Sequence, residues 1–402
     1  MTCAIAKCLA LFVLTLHLFI AEIMSDIPDD SLFLQYLAKY ATPARPLRDR
    51  ANPFSDLDDT QFHERFRLTK VSTLLLLTKI EPSLEYSSDR NNALPPMLQL
   101  VIALRYYATG CFQLVVADLT KVHKSTVCRA IHRVSRAIAS LRAQYVSFPD
   151  SNDERMQTMR EFYAIAQFPG VLGTIDCTHI PISSPGGDLA EIYRNRKGYF
   201  SLNVQTVSNA RLMITDIVAR WYGSAHDVTI FNNCSLRAKF ETGQIPSGHL
   251  LADNGYGIKP YLLTPLLNPV SEPEKRFNRC HVSTRNTVER QYGIWKRRFP
   301  ALKLGMRVDT DNALAIIVAT AVLHNMALGA GETAPPDDSQ LQQMLEAQRA
   351  SRPRYRIYED VTDDVIVPTN RPADTGPRSG HQTRERIIRE YFDWYMLLLV
   401  IF

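Results

Sequence analysis

The stretch Val-Leu-Gly-Thr-Ile-Asp-Cys-Thr-His-Ile-Pro-Ile, residues 171–182, reads as a β-strand carrying an acid at its middle. β-Branched and apolar residues dominate it, as a pleated, buried surface requires. Asp176 is that acid. Residues on a strand alternate faces, so His179, three positions on, points away from Asp176 and reads as a packing or supporting group. Cys177 has no histidine partner in the pattern and reads as a core thiol.

Two further acids stand in settings that complement the first. Asp253 follows a short apolar run and precedes a glycine turn in His-Leu-Leu-Ala-Asp-Asn-Gly-Tyr, residues 249–256, where Gly255 lets the backbone turn sharply. Glu289 lies in a basic helical stretch, residues 286–299, on one face with Asn286, Tyr292 and Lys296. A strand, a strand end and a helix would bring these three carboxylates to one point. Such a set suits hard divalent cations. It also suits phosphodiester cleavage, where two cations about 3.5–4 Å apart activate the attacking water and stabilise the leaving oxygen. Asp176 would be the central ligand, Asp253 would approach from the neighbouring strand, and Glu289 would close the set. Taken singly, each acid has a plainer reading: a solvated strand acid, a turn residue, a partner of Arg285 or Arg290. The ordered trio within a basic surround favours the site. A fourth acid, Asp227 in Tyr222-Gly-Ser-Ala-His-Asp-Val, reads either as a further ligand or as a helix N-terminal acid facing the dipole; the residues alone favour the latter.

The 402 residues allow two or three domains, and an apolar fraction of 46% supports a large core. The formal charge of +5 does not by itself mark a nucleic-acid binder, but its basic residues crowd 121–142 and 275–307. Seven scattered cysteines, an odd number with no CxxC, exclude a disulfide framework or a zinc-finger pattern and point to reduced thiols. No HExxH, GxSxG, P-loop or dinucleotide fingerprint occurs. Lys7 precedes an apolar run, Cys8 to Ile20, that resembles a signal peptide; alternatively Met24 is the functional start and residues 1–23 are an upstream extension. The apolar end, 394–402, is too short to span a bilayer as a helix.

Along the chain, 24–150 reads as helical, with segments at 62–68, 71–77 and 97–108. Within it, 110–140 carries a helix-turn-helix pattern: a short helix at 112–119, a tight connection, and a second helix with Ser125 as its N-cap. Val127, Ile131, Val134 and Ile138 should face the core. Lys124, Arg129, Arg133 and Arg136 are the candidate phosphate contacts, with Lys296 from the later helix. The alternative is an ordinary amphipathic pair with a solvated basic face. Residues 149–160 read as a polar linker. Strands follow at 171–182, 201–208 and 212–219, then a helix at 227–240, a strand at 250–252, and helices at 287–299 and 314–328. This is an α/β pattern over 168–329. Residues 330–402 read as a flexible tail with a short helix at 384–392.

Gly173-Thr-Ile-Asp-Cys-Thr-His-Ile-Pro-Ile, Gly223-Ser-Ala-His-Asp, Ala252-Asp-Asn-Gly-Tyr, Thr287-Val-Glu-Arg and Lys296-Arg-Arg-Phe-Pro resemble the DDE domain of Harbinger-type transposases and the host nucleases derived from them. Leu104-Arg-Tyr-Tyr-Ala-Thr-Gly, Ser125-Thr-Val-Cys-Arg and Val322-Leu-His-Asn extend the likeness over roughly 60–330. Asn254 departs from it, standing where the family often has serine. The resemblance implies an RNase H-like fold behind a helix-turn-helix region, and a nuclease acting on DNA with Mg²⁺ or Mn²⁺. Asp176, Asp253 and Glu289 would be catalytic and would bind the metal with Asp227, which the family pattern raises to a ligand. It implies a nuclear or nucleo-cytoplasmic protein, with a separate Myb-like DNA-binding partner in some members and no membrane association. The competing function is a catalytically silent DNA-binding regulator using the helix-turn-helix; secretion, directed by the apolar lead, is a third.

Overall fold

Strand β1 (Val171–Pro181) forms where its alternating, β-branched sequence requires. The computed structural model describes residues 53–86, 93–120, 122–335, 343 and 378–393. The apolar lead 1–23 and the apolar end 394–402 lie outside the described residues. β2 (Ser201–Ser208) runs antiparallel to β1 and β3 (Ile214–Tyr222) antiparallel to β2. β4 (His249–Leu251) pairs parallel with β1, and β5 (Leu262–Leu263), which the sequence pattern does not reveal, pairs parallel with β4. The order is β3-β2-β1-β4-β5, so β1 is central and Asp176 sits opposite Thr206 of β2.

Both faces of the sheet are covered, as a central strand with few exposed positions demands. Leu172, Ile175, Val207, Phe231 and Leu250 pack in one cluster; Val171, Leu251, Leu263, Phe168 and Phe277 pack in another. Adjacent residues Val171 and Leu172 thus enter opposite cores, as do Leu250 and Leu251. Gly173 allows the close approach of β2: a Cβ there would lie 2.4 Å from Val207 Cγ1.

The helices run α1 (Asp59–Phe66), α2 (Lys70–Leu84), α3 (Pro96–Thr109), α4 (Gln113–Thr120), α5 (Lys124–Ser140) and α6 (Asn152–Ala166) before the sheet. The expected linker at 149–160 is instead most of α6. Ser151 and Glu154 form a reciprocal capping box at its start, a signal its polar composition hid. On α5 the expected inward row, Val127, Ile131, Val134 and Ile138, is fully buried. Its N-cap is His123, whose side chain accepts from Ser125 N–H, and not Ser125.

The expected helix at 227–240 is two pieces, α7 (Asp227–Asn232) and α8 (Ser235–Glu241), with Cys234 capping the second. The helix bearing Glu289 is far longer than its C-terminal half suggested. α9 (Glu272–Arg298) starts at a second capping box, Ser271 with Glu274. α10 (Thr310–Gly329) is long and apolar enough to cross a membrane by composition, but most of it is buried in the core.

Of the tail beyond 335, only residue 343 and residues 378–393 are described, and the short helix expected at 384–392 stands there, starting earlier than its pattern suggested. α11 (Arg378–Ile387) continues into a π-helical turn at 388–393. Phe392 is buried against Phe168 and Phe277, a contact of roughly 1.5–3 kcal/mol per buried ring. The chain divides into two compact units, 1–56 and 57–402. In the first, only the helical turn Pro53–Asp56 is described. The second contains both the α1–α5 helices and the sheet.

Candidate active site

Asp176 lies on β1 with its carboxyl mostly shielded, and each of its oxygens is engaged. Oδ1 accepts from the Cys177 N–H at 2.8 Å, and Oδ2 accepts from Arg285 at 3.2 Å. Burial pushes its pKa up to about 6; the Cys177 bond and the Arg285 charge oppose this, while Asp253 and Asp227 add to it. The three aspartates are therefore close enough to act on one another's charge, although 77 residues separate the first from the last (176 to 253).

Each of the other acids is also fixed by its element. Asp227 opens α7, and its Oδ1 accepts from Asn203 of β2 at 2.9 Å; the same amide group donates to Ala225 O. Asp227 is thus the helix N-terminal acid that the residues alone favour, tied to the sheet through Asn203. Asp253 lies two residues past the end of β4, and its Oδ1 accepts from Gly255 N–H at 2.9 Å, which closes the turn. Glu289 on α9 is more exposed and meets Asp176 through Arg285, whose guanidinium donates to Glu289 Oε1 at 2.6 Å. Among the described residues no three His, Cys, Asp or Glu side chains are gathered as a metal-holding group; a guanidinium lies between Asp176 and Glu289.

α9 is seated on β1 by the face that the sequence singles out. The Tyr292 hydroxyl donates to the Asp176 carbonyl at 2.6 Å and lies 3.0 Å from Thr206 Oγ1. Burial raises its pKa well above the usual phenol range, so it remains a donor. Lys296 turns inward, donating to Thr178 Oγ1 at 2.5 Å and to His179 O at 3.0 Å. Its pKa falls to about 7, because burial penalises the ammonium. This lysine is thus committed to β1, on the side of Asp176, and is not a free surface cation.

Cys177 is a half-buried residue packed against the core, its thiol 3.3 Å from Tyr256 Oη, and desolvation raises its pKa, as expected of a core group and not of a nucleophile. His179 bonds Ser201 Oγ through Nδ1 at 3.1 Å, in keeping with a supporting role.

Of the basic residues on α5, Lys124, Arg129 and Arg136 are exposed. Arg133 is not available as a free cation. It donates to Ser83 O and Glu85 O at the end of α2 and covers the Tyr86 ring. Those orphan helix-end carbonyls attract a guanidinium. Arg285 pairs with Glu289 as the plainer reading of that acid expects, from its i, i+4 spacing, but its bond to Asp176 carries no signal in the sequence. Asn203 escapes the sequence reading altogether, because its role depends on how β2 and α7 meet.

A mixed sheet thus carries the acids, one on β1, one after β4, one at the start of α7 and one on a long helix. Residues 175–325 match the family described as DDE superfamily endonuclease. The chain is 31% identical over 280 residues to the mouse protein named "Putative nuclease HARBI1", covering 69% of this chain and 80% of that one. The human protein of the same name is 30% identical over 281 residues, with the same coverage. "Protein ALP1-like" of Arabidopsis thaliana is 25% identical over 259 residues, 60% of this chain and 63% of that one. No solved structure matches. The chain belongs to the Harbinger transposase-derived nucleases of the DDE superfamily.

Proposed function

We propose that the protein is a divalent-metal-dependent nuclease that hydrolyses DNA phosphodiester bonds. The observation that supports this is that Asp227 and Asp253 lie within electrostatic range of Asp176 on the central strand, with Glu289 linked to Asp176 through one guanidinium. The donor set is entirely carboxylate oxygen, which fits Mg²⁺ or Mn²⁺ better than a soft ion. Asp176, Asp227, Asp253 and Glu289 would hold the metal, and Asp176, Asp253 and Glu289 are the catalytic set.

A bound divalent cation would supply Lewis-acid stabilisation of the phosphoryl oxygens and a more acidic water. The chain's own residues preorganise that chemistry. Asn203 fixes Asp227, the Gly255 N–H fixes Asp253, and Tyr292 fixes the backbone of Asp176. Carboxylates held before the substrate arrives need no reorganisation during the reaction. Arg285 must give up Asp176 or Glu289 for these two to share an ion.

The test is a nicking assay on supercoiled DNA with the full chain, Mn²⁺ or Mg²⁺, and Asp176→Asn beside it. Expected is metal-dependent nicking that the substitution reduces by at least about 10²-fold, the scale of losing one preorganised stabilising group. Equal nicking by the variant, or nicking that persists in EDTA, overturns the reading.

A further inference from the structure

Between β1 and β2 the chain makes a basic turn, 194–200, that no role described so far requires. It is built around Asn195, which is buried and bonded on every side. Its Oδ1 accepts from Lys197 N–H at 2.9 Å and Tyr199 N–H at 3.3 Å, and its Nδ2 donates to Ser201 Oγ at 3.0 Å. Its backbone exchanges bonds with Tyr199 and Gly198. Gly198 takes φ +80°, the left-handed conformation that closes the turn. Arg194 braces it from outside, bonding Gly198 O at 2.9 Å and lying over the Phe200 ring, and Glu191 holds both its other nitrogens. The charge of Arg194 is therefore compensated. Arg196 and Lys197, at the tip, are exposed and, among the described residues, have no ion pair or side-chain hydrogen bond.

This turn is locked to two acid-bearing segments. Ser201 Oγ, held by Asn195, also bonds His179 of β1, three residues from Asp176. Ser224 N–H donates to Ile192 O at 3.1 Å, tying in the turn that leads to Asp227. Gly223 is needed there: a Cβ would lie 2.4 Å from both Ser201 Oγ and Tyr193 O. The charges of Arg196 and Lys197 reach His179, which burial first of all, and these cations with Lys296 in addition, hold down to about 4.

We infer that the Asn195 turn is a phosphate-binding element in which Arg196 and Lys197 hold the DNA backbone beside the acid cluster. The inference rests on the nuclease reading for the identity of its ligand. Three strand residues span about 10 Å, and the rise of one DNA strand is about 3.4 Å per nucleotide. His179, to which the turn is bonded through Ser201, therefore stands about three nucleotides from Asp176 along a strand, and the cations at the tip address phosphates beyond it. Because internal bonds already fix the turn, binding orders only two side chains, which limits its entropic cost. Opposite charge beside the acids also offsets the repulsion that four carboxylates exert on an approaching polyanion.

The experiment measures DNA binding without cleavage. Anisotropy of a labelled duplex is followed in EDTA over a KCl series, with the full chain as wild type, Arg196→Ala/Lys197→Ala, and the charge-preserving Arg196→Lys/Lys197→Arg. Both residues are exposed and unpaired, so the fold should persist, and a melting curve checks this. Expected for the double alanine variant is at least about tenfold weaker binding, with the slope of log affinity against log salt shallower by about 1.8, two phosphates' worth. The charge-preserving variant keeps the wild-type slope. Wild-type slope and affinity in the double alanine variant overturn the inference, as does a wild type that binds no duplex. If the slope falls as expected while no metal supports nicking, the phosphate element stands and the nuclease reading fails. If nicking is metal-dependent and the slope is unchanged, the reverse holds.

Discussion

Arg285 and Arg298 lie thirteen residues apart on one helix and illustrate opposite uses of the same side chain. Arg285 is about one-fifth exposed, and its partners are two carboxylates, Asp176 and Glu289, the second of them half open to water. Arg298 is fully buried. It donates to Arg67 O at 2.9 Å, Glu332 O at 3.1 Å and Thr333 O at 3.0 Å, with the Glu332 carboxylate 3.5 Å away. Glu332 in turn accepts from the Thr69 N–H and hydroxyl. The Arg298 network joins α9 to the start of α2 and the end of α10, and its carbonyl acceptors cannot leave. The partners of Arg285 can be taken by another cation. On the proposed reading, function concentrates where a charge's partners are replaceable, and architecture where they are not.

The largest effect should come from the fixed end. Arg298→Ala leaves Glu332 buried beside three unpaired carbonyls, and breaking such a pair costs roughly 3–5 kcal/mol. Urea unfolding measures it. The Arg298→Met/Glu332→Gln double variant should lose clearly less than the sum of the singles, because neither charge is then stranded. Additive losses would mean that the two residues are not one network.

His324 sharpens the same contrast. Its Nε2 donates to Leu212 O at 2.9 Å, while Nδ1 is buried without a hydrogen-bond partner among the described residues. Burial, aided by the charge of Arg298, lowers its pKa to about 4. The unfolded chain binds the proton first, near 6.5, so stability present above that pH is lost as pH falls from about 6.5 toward 4. By pH 5 one such group costs roughly 2 kcal/mol. The difference in unfolding free energy between pH 7 and pH 5 should shrink by about that amount in His324→Gln. An unaltered difference would show that His324 is not the group that titrates.

The sheet was legible because its strands carry a period of two and end at turn residues. Val171, Leu172, Asp176 and the Ser201–Ser208 run stand on the strands expected of them. What misled was polarity without period. Residues 149–160 look like a linker, yet Ser151 and Glu154 start a helix, and the first half of α9 was hidden in the same way behind Ser271 and Glu274. In both cases the cap was a better guide than composition. The acids were visible as types in an order. Their positioning was not, since Asn203 reaches Asp227 from another strand and Arg285 links two acids from β1 and α9. Nor could composition separate a free cation from one bound to carbonyls, as Lys296 and Arg133 demonstrate.

At the replaceable end a smaller change in stability is expected. Arg285→Gln removes two ion pairs, but a partly solvated pair is worth only about 0–1 kcal/mol, and the melting temperature should barely fall. Its effect should appear with metal. Without the competing guanidinium, the Mn²⁺-induced rise in melting temperature should exceed that of the wild type, because ligand binding stabilises the fold by RT ln(1 + L/Kd), with L the free ion concentration, a quantity that grows as binding tightens. An equal or smaller rise would mean that Arg285 and the ion do not share these carboxylates.

The smallest effect on the fold belongs to Arg129. It is exposed on α5, and its nearest polar contact is Thr126 Oγ1 at 3.4 Å. Arg129→Ala should change unfolding free energy by no more than about 0.5 kcal/mol. Arg133, bonded to two carbonyls of α2 and stacked on Tyr86, should be more costly to remove although it lies one turn away on the same helix. If α5 lies against DNA, Arg129→Ala should also reduce the salt slope of duplex binding by about 1. The helix-turn-helix reading fails if the slope is unchanged in Arg129→Ala, in Lys124→Ala and in Arg136→Ala alike. Binding would then depend on the Asn195 turn and the acid site alone, and α5 would serve the fold through its buried row of Val127, Ile131, Val134 and Ile138.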